Sequence, residues 1–159
     1  MKKLVSALVA ILGMGTLAAQ DVVVKGPDGK LQLAVFVQNE TKPCYSVSYN
    51  GKTMLEKSPL GMNTNIGDFT KNLKLAGHSV DKIDTVYRQT RIKVSEVHYR
   101  ANELTCHFEN EKGQKLGVVF RVSDHDVAFR YTLPHQGGRA SVTVNEEKTG
   151  FRFPEQTTT

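Results

Sequence analysis

Glutamates occur in close pairs at two places, and paired carboxylates can cleave acetal bonds by acid and base catalysis. Glu146 and Glu147 are adjacent, and Glu109 and Glu111 flank Asn110. Such a pair must stand roughly 5–9.5 Å apart across the bond that breaks. Neighbouring residues on a strand point to opposite faces, so Glu146 and Glu147 cannot act together. We expect all four carboxylates to be solvated groups beside strand ends or turns.

The most metal-like cluster of the sequence is Asp124, His125 and Asp126. Calcium binds six to eight oxygen ligands, and structural zinc binds four nitrogen or sulfur ligands. Two carboxylates and one imidazole on a tight turn are too few for either ion. Aspartates in turns bond nearby backbone N–H groups, which explains the cluster without a metal. We therefore assign no catalytic, cofactor-binding or metal-binding residue to this chain.

A histidine–glutamate pair and a pair of tyrosines are two further candidate sites, each with weaker support from the sequence. If a hairpin turns at residues 100–103, Glu96 faces His107, which is an ordinary cross-strand pair. Tyr45 and Tyr49 share one face of a predicted strand and could form a platform for a sugar ring. Stripes of this kind more often belong to a core or an interface. The chain has no tryptophan, which weakens the interpretation as a free-standing carbohydrate-binding module.

Four short strands in succession are predicted between Ile92 and Leu133, because apolar and polar residues alternate there. Side chains on a strand point to opposite faces in turn, so each strand buries one face. Turn-forming residues separate the strands at 100–103, 111–113 and 124–126. Connections this short join antiparallel neighbours. We expect this meander to be the centre of a β-sandwich.

Further strands are expected on both sides of the meander. The predicted strands cover residues 22–25, 30–38, 45–49, 52–56 and 73–80 before it, and 140–146 and 151–153 after it. Asn50 and Gly51 predict a type I′ hairpin turn, which requires positive φ at both positions. Residues 81–91 are ambiguous and predict at most an edge strand. No segment beyond the leader has a helical period, so the fold class is all-β.

The segment from Ser58 to Thr70 has no hydrophobic period and mixes Gly, Asn and Pro. This composition is typical of a loop. A loop of about a dozen residues is long for a compact domain and is often functional. We therefore expect it to be a contact surface.

The first residues have the pattern of a secretory signal peptide. Lys2 and Lys3 precede an uncharged apolar run from Leu4 to Leu12, and small residues follow. We expect cleavage after Ala18 or Ala19, so that residues 1–19 are removed. A membrane anchor is the less favoured alternative, since the uncharged stretch is at the short limit for spanning. The mature protein is expected in the periplasm or at the cell surface, with no membrane attachment.

Residues 20–159 are expected to form one domain. The formal net charge of +5 includes Lys2 and Lys3 of the leader, and no basic stripe is interleaved with aromatic residues, so we expect no nucleic-acid partner. Export makes a disulfide between Cys44 and Cys106 possible. Cys106 is also in phase with apolar neighbours and fits a small buried hydrophobe. The sequence leaves both alternatives open.

Six segments carry a family resemblance. They are PDGKLQLAV at 27–35, YSVSYNGKTMLEKSPLGM at 45–62, GDFTKNL at 67–73, VHYRANELTCHFEN at 97–110, VVFRVSDHDVAFRY at 118–131 and TGFRFPEQTTT at 149–159. In this order they resemble the N-terminal domain of glycoside hydrolase family 97. Members of that family are exported α-glycosidases, typically of Bacteroidota.

The resemblance implies an antiparallel β-super-sandwich, similar to galactose mutarotase, that packs against a catalytic (β/α)8 barrel. The barrel of such enzymes carries the catalytic carboxylates and most of a calcium site, and the implied substrates are α-linked oligosaccharides, either α-glucosides or α-galactosides. We expect an incomplete sandwich here, because the chain stops before the barrel. It would be inactive alone and hold no cofactor, with calcium implied only for the full-length family.

The role implied by the resemblance is to support the barrel and shape the carbohydrate pocket, with residues 58–70 as the candidate contact. A free-standing periplasmic carbohydrate-binding module is the alternative. A mutarotase-like enzyme that uses a histidine and a glutamate rests on fold analogy, which does not by itself carry function.

Overall fold

The computed structural model describes residues 21–39, 41–88, 96–135 and 141–157. The predicted signal peptide lies outside these ranges. Eleven strands form the described part of the chain: β1 (Val22–Lys25), β2 (Leu31–Gln38), β3 (Lys42–Tyr49), β4 (Lys52–Pro59), β5 (Met62–Thr64), β6 (Gly67–Asp68), β7 (Leu73–Arg88), β8 (Glu96–Asn110), β9 (Lys115–Val122), β10 (Val127–Thr132) and β11 (Val144–Glu147). Within the same ranges, no helix has the length and apolarity needed to cross a membrane.

Two four-stranded antiparallel sheets form the body of the protein. The first has the order β1-β2-β3-β4 and the second the order β10-β9-β8-β7. Asn50 and Gly51 connect β3 to β4 with φ of 49° and 79°, which confirms the predicted turn. The all-β, antiparallel sandwich architecture predicted from the sequence is confirmed.

The core lies between the two sheets. Every second residue of a strand points inward and contributes its side chain to the core. It contains Val22, Val24, Leu31, Leu33, Val35, Tyr45 and Val47 from the first sheet, and Leu73, Leu104, Cys106, Phe108, Leu116, Val118, Phe120 and Val122 from the second. Period-two alternation in the sequence thus produces the two buried faces.

The predicted turn at residues 100–103 is wrong. Glu96 to Asn110 form one continuous strand, and Arg100 and Glu103 lie opposite Asp84 and Asp81 of β7. The described part of the meander therefore has three strands and not four; residues 92–95 are outside the described ranges. Residues 73–80 and 81–88, predicted as separate pieces, are likewise one strand.

The segment from Ser58 to Thr70 is not a loop, and that prediction is wrong. It completes β4 and supplies β5 and β6, which join β11 in a small third sheet. Leu60, Met62 and Phe69 of this segment are part of the core. Their irregular spacing hid this role, since the backbone turns at Gly61, where φ is 134° and a Cβ would lie 2.4 Å from the carbonyl oxygen of Phe69.

The C-terminal residues follow the edge of β4. The amide of Glu56 donates to the carbonyl of Arg152 (2.8 Å), and the amide of Gly150 donates to that of Pro59 (3.0 Å). These bonds do not form a regular ladder, so the predicted strand at 151–153 is absent. The strand predicted at 140–146 is observed as Val144–Glu147, and residue 140 lies outside the described ranges.

Candidate functional site

One member of each carboxylate pair singled out in the sequence forms an ion pair with a lysine. Glu146 and Glu147 are both exposed on β11, and Glu146 forms an ion pair with Lys148. Glu109 lies 3.6 Å from the Nζ of Lys74 across the β7–β8 pair. These contacts are ordinary surface ion pairs, and they form no acid–base couple across a cleft.

Asp124, His125 and Asp126 form the turn between β9 and β10. Ser123 organises this turn: its Oγ accepts from the amides of His125 (3.1 Å) and Asp126 (3.0 Å) and donates to Asp126 Oδ2 (2.6 Å). Asp124 Oδ1 accepts a 2.7 Å bond from the amide of Asp28. Within the described residues, no three His, Cys, Asp or Glu side chains are placed to hold an ion. The side chains of this turn therefore supply too few oxygen ligands for calcium.

Glu96 and His107 do not face one another, because both lie on β8. Glu96 Oε2 is 3.3 Å from the Nε of Arg88, and His107 lies opposite Gly77 and Gly117 on the flanking strands. The predicted cross-strand pair is therefore wrong. A histidine–carboxylate contact does occur elsewhere, since His98 Nε2 lies 2.5 Å from Asp84 Oδ1 on the exposed surface.

The two tyrosines of the predicted platform have different environments. Tyr45 is only 1% exposed and belongs to the core, whereas Tyr49 is 38% exposed. A sugar ring cannot stack on a buried phenol, so the two-tyrosine platform is not formed. Tyr49 instead lines an open groove of about 770 Å³ together with Leu55, Val127 and Phe153.

Aromatic side chains collect along one side of the sandwich, near the edge strand β10. This aromatic flank consists of Tyr45, Phe120, Phe129, Tyr131 and Phe151. Ring centroids are 5.9 Å apart for Tyr45 and Phe129 and 5.7 Å apart for Phe129 and Tyr131. Phe151 lies 6.4 Å from both Tyr45 and Phe129 yet remains 58% exposed. The flank therefore joins the core to the surface.

The hydroxyl groups of the flank fasten the C-terminal segment. Tyr45 donates to the carbonyl of Gly150 (3.1 Å). Tyr131 accepts from the amide of Gly61 (2.9 Å) and hydrogen-bonds Thr149 Oγ1 (2.6 Å). Burial raises the pKa of Tyr45 to about 12 and also raises the pKa of Tyr131. Both phenols stay neutral near pH 7, so they act as hydrogen-bonding groups and not as bases.

The two cysteines are buried and unbonded. Cys106 faces the core, and burial raises its pKa to about 12. Cys44 alternates with the core residue Tyr45 on β3, so it points to the other face of its sheet, where its thiol contacts Gln38 Oε1 at 3.5 Å. The two thiols are thus on different faces, and the alternative of small buried side chains holds for both.

A polar cleft of about 340 Å³ lies beside the third sheet. Two of its amide side chains bond to each other and to the backbone: Asn110 donates to Gln114 Oε1 (2.7 Å), and Gln114 donates to the carbonyl of Ile66. These bonds connect the β8–β9 turn to the β5–β6 turn. Hydrogen bonds within the protein therefore account for the presence of Asn110 and Gln114 in the lining of the cleft.

The second sheet has a projecting part. β9 ends at Val122, opposite Asn102, whereas β7 and β8 continue together to the pair Arg88 and Glu96. Residues 82–88 and 96–102 thus form a two-stranded ribbon, which we call the β7–β8 arm. Sequence reasoning missed this arm, although it left a signal. The apolar phase falls on Val97, Tyr99 and Ala101 and then shifts by one to Leu104, Cys106 and Phe108.

Comparison with known proteins identifies relatives across nearly the whole described chain. Residues 24–159 match the family model described as Glycosyl-hydrolase 97 N-terminal. A probable retaining alpha-galactosidase of Streptomyces bingchenggensis (strain BCW-1) is 34% identical over 84% of this chain and 20% of the relative. The chain thus spans about a fifth of the length of that curated relative.

Solved structures agree with this assignment. A crystal structure of a beta-arabinopyranosidase is 92% identical, with a TM-score of 0.83 over 86% of this chain and 22% of that chain. A Glycoside Hydrolase Family 97 enzyme from Pseudoalteromonas sp. strain K8 in complex with acarbose is 26% identical, with a TM-score of 0.76 over 84% of this chain and 20% of that chain. The family resemblance predicted from the sequence is confirmed: this chain belongs to the N-terminal domain family of glycosyl hydrolase 97.

Proposed function

We propose that this chain is the N-terminal β-sandwich domain of an exported glycosidase, and that it supports the catalytic domain and shapes the carbohydrate pocket without cleaving bonds itself. The observation that carries this proposal is the 92% identity to part of a beta-arabinopyranosidase whose chain is several times longer than the matched region. The ion pairs of Glu109 with Lys74 and of Glu146 with Lys148 support a non-catalytic role.

The proposed substrate class is the galacto-configured pyranosides. β-L-Arabinopyranose has the ring configuration of α-D-galactopyranose and lacks only the exocyclic CH₂OH group. The relatives described as a beta-arabinopyranosidase and an alpha-galactosidase are 92% and 34% identical, whereas the relative bound to acarbose is 26% identical. Identity therefore favours an arabinopyranoside or a galactoside over the α-glucoside that the family resemblance also allowed.

Calcium, if the parent enzyme carries it, is proposed to be bound outside the part of the chain described here. In that part, no three His, Cys, Asp or Glu side chains are placed to hold a metal ion. Calcium requires six to eight oxygen ligands. Export by the signal peptide of residues 1–19 and residence in the periplasm or at the cell surface belong to the same proposal. Fractionation of the native host, with detection of the mature N-terminus at residue 19 or 20, tests this part.

The substrate proposal is tested with the polypeptide encoded by the whole reading frame. We expect kcat/KM for p-nitrophenyl β-L-arabinopyranoside or α-D-galactopyranoside to exceed that for the α-D-glucopyranoside by at least about tenfold, which corresponds to about 1.4 kcal/mol. A preference for the glucoside overturns the substrate class. The 159-residue chain alone should hydrolyse none of the three, and turnover by it would overturn the supporting role.

A carbohydrate-binding module is the second candidate, favoured by the groove that Tyr49 and Phe153 line. Phe153 is 60% exposed and is available for stacking on a pyranose. This candidate predicts saturable binding of galactose or arabinose to the chain, which a Tyr49→Ala change should weaken. Calorimetry that detects no heat up to millimolar sugar rejects it.

A further inference from the structure

β7 is a long edge strand of the second sheet. It has 16 residues, against about 5–6 for a typical strand, and it pairs with β8 along one side. Among the described residues, its one main-chain hydrogen bond to a residue outside β8 joins the amide of Leu73 to the carbonyl of Thr41. From Lys74 to Arg88, the main-chain groups on the outer side of β7 therefore form a template for another strand.

The other edges of the two large sheets are less suited to pairing. β1 has four residues and β10 has six, whereas β4 already bonds to the C-terminal residues through Glu56 and Pro59. Bulges and prolines prevent edge strands from pairing with other chains. Between His78 and Arg88, β7 has no proline and keeps an unbroken register with β8. Charged residues also protect edges, so the charges of β7 decide whether and where it pairs.

The charges of β7 are self-complementary in one register. Two copies of a strand related by a two-fold axis normal to the sheet are antiparallel, and each keeps the same face on the same side. Residues equally far before and after the residue on the axis then lie opposite one another. With Ile83 on the axis, Lys82 of each copy lies opposite Asp84 of the other. The symmetry thus produces two oppositely charged cross-strand pairs.

Neighbouring registers lack this complementarity. An axis one residue away, at Lys82 or Asp84, places that charge opposite its own copy, and like charges directly opposite are destabilising. An axis two residues away, at Asp81 or Thr85, opposes two acidic or two cationic side chains. With histidine neutral, no opposed pair of the Ile83 register has like charges. Charge therefore selects the register centred on Ile83.

The same register covers exposed apolar side chains. Val80 and Val86 are 51% and 54% exposed. Both lie on the face of β7 that continues the core side of the sheet, since Val80 is opposite the core residue Leu104. With Ile83 on the axis, Val80 of each copy lies opposite Val86 of the other. β-Branched side chains pack well across strands, so this contact removes from water apolar surface that one copy leaves exposed.

We propose that β7 is a dimerisation edge. It pairs antiparallel with β7 of a second copy, about a two-fold axis at Ile83, and joins the four-stranded sheets of the two copies into one continuous sheet. The partner is a second copy because the charges of β7 complement those of the same strand. This inference concerns an edge of this chain and does not rest on the proposed function.

Sedimentation of the polypeptide encoded by the whole reading frame, over a range of concentrations, tests the proposal. We expect a monomer–dimer equilibrium. Lys82→Asp opposes acidic residues at both symmetric pairs, so it should raise the dissociation constant of the dimer by at least about tenfold. Lys112→Asp makes the same charge change at an exposed lysine of the β8–β9 turn and should leave that constant unchanged.

Three results overturn the proposal. The first is a wild-type polypeptide that stays monomeric at every concentration measured. The second is a dimer that Lys82→Asp does not weaken, which means that the copies meet at another surface or that another strand covers β7. The third is an equal effect of Lys82→Asp and Lys112→Asp.

A mixture of two charge variants tests the register. Lys82→Asp and Asp84→Lys each oppose like charges when they pair with their own copy, so each alone should be largely monomeric. In an equimolar mixture every opposed pair at these positions is again oppositely charged, and a dimer that contains one copy of each variant should form. A mixture that remains monomeric contradicts the proposed register.

Crosslinking checks the register without a change of charge, which matters because Asp84→Lys also loses the contact with His98. In the proposed dimer, Val80→Cys of one copy lies opposite Val86→Cys of the other. Two copies of the same variant hold their cysteines about 20 Å apart along the strands. We expect a short bismaleimide to crosslink the mixture and neither variant alone beyond the wild-type background. Equal crosslinking in the single variants, or none in the mixture, overturns the proposal.

Discussion

The side-chain amide of Asn102 donates a 2.6 Å hydrogen bond to the main-chain carbonyl of Lys25, which joins β8 of the second sheet to β1 of the first. The bond lies where β9 ends and the β7–β8 arm leaves the sandwich. Close to it, Asp124 accepts from the amide of Asp28 and lies 3.7 Å from Arg100. This end of the sandwich is therefore closed by polar contacts.

Replacement of Asn102 should loosen that closure. Asn102→Ala removes one hydrogen bond, and we expect the free energy of unfolding in urea titrations to fall by about 0.5–1.5 kcal/mol. Asn102→Asp keeps the shape but places an acceptor against the carbonyl of Lys25, so it should cost at least as much. If Asn102→Asp is as stable as the wild type, the bond contributes nothing.

Close approach of the chain at Gly26 should make this position intolerant of a side chain. A Cβ on Gly26 would lie 2.2 Å from the main-chain oxygen of Ser123. We expect Gly26→Ala to lower the free energy of unfolding by about 1–3 kcal/mol, since the backbone must shift. Gly77 is the control, because a Cβ there meets nothing within 4 Å. Gly77→Ala should be neutral or stabilise the strand by up to about 1 kcal/mol; equal losses in both variants would contradict this explanation.

The hydroxyl of Tyr131 should contribute to stability through the buried amide of Gly61. Tyr131→Phe leaves that N–H without its acceptor and breaks the bond to Thr149. Because an unsatisfied buried donor costs about 1–3 kcal/mol, we expect a loss of this size in urea titrations. The matched change Tyr49→Phe lies on the surface and should alter stability by less than about 0.5 kcal/mol. A loss no larger in Tyr131→Phe would show that water replaces the bond.

The protein should lose stability in alkaline solution. Burial raises the pKa of Cys106 from 9.0 to about 12 and that of Tyr45 from 10.0 to about 12. The folded state therefore holds protons that the unfolded state has released, so the free energy of unfolding must fall as pH rises from about 9 to about 12. Below pH 9 the contribution is complete.

Urea titrations at intervals from pH 7.5 to pH 11 measure this loss. Cys106→Ala removes one of the two thiols that deprotonate before Tyr45 in the unfolded chain, so its curve should be flatter than that of the wild type above pH 9. A wild-type midpoint that stays constant up to pH 11 would contradict the effect of burial on both groups.

Local alternation predicted the body of the fold well. Apolar residues occupy every second position of the strands around Leu33 and Phe120, and the turn at Asn50 and Gly51 needs only its own two residues. Prediction failed for residues whose burial or backbone direction depends on contacts with distant parts of the chain. The residue types at 100–103 predict a turn, but the strand continues through them and changes its buried face between Ala101 and Leu104. Two separate strands would have the same local pattern.

The candidate contacts were harder to predict than the fold. Gly61 and Thr149 lie 70 and 18 residues from Tyr131 along the chain, so their hydrogen bonds leave no local pattern. The irregular apolar residues Leu60, Met62 and Phe69 were assigned to a loop for the same reason, since their burial depends on strands from other parts of the sequence. The family resemblance supplied the architecture but no residue contact.

The order of strands in the two large sheets has a consequence for how the protein acquires its structure. In each sheet, every strand pairs with its immediate neighbour in the chain. Such pairs close short loops at little entropic cost, so each sheet can form early, whereas the Lys25–Asn102 bond spans 77 residues and must come later. During synthesis, the inner face of the first sheet is thus complete before its cover has left the ribosome, and this interval is when the nascent chain is most open to aggregation and most in need of a chaperone.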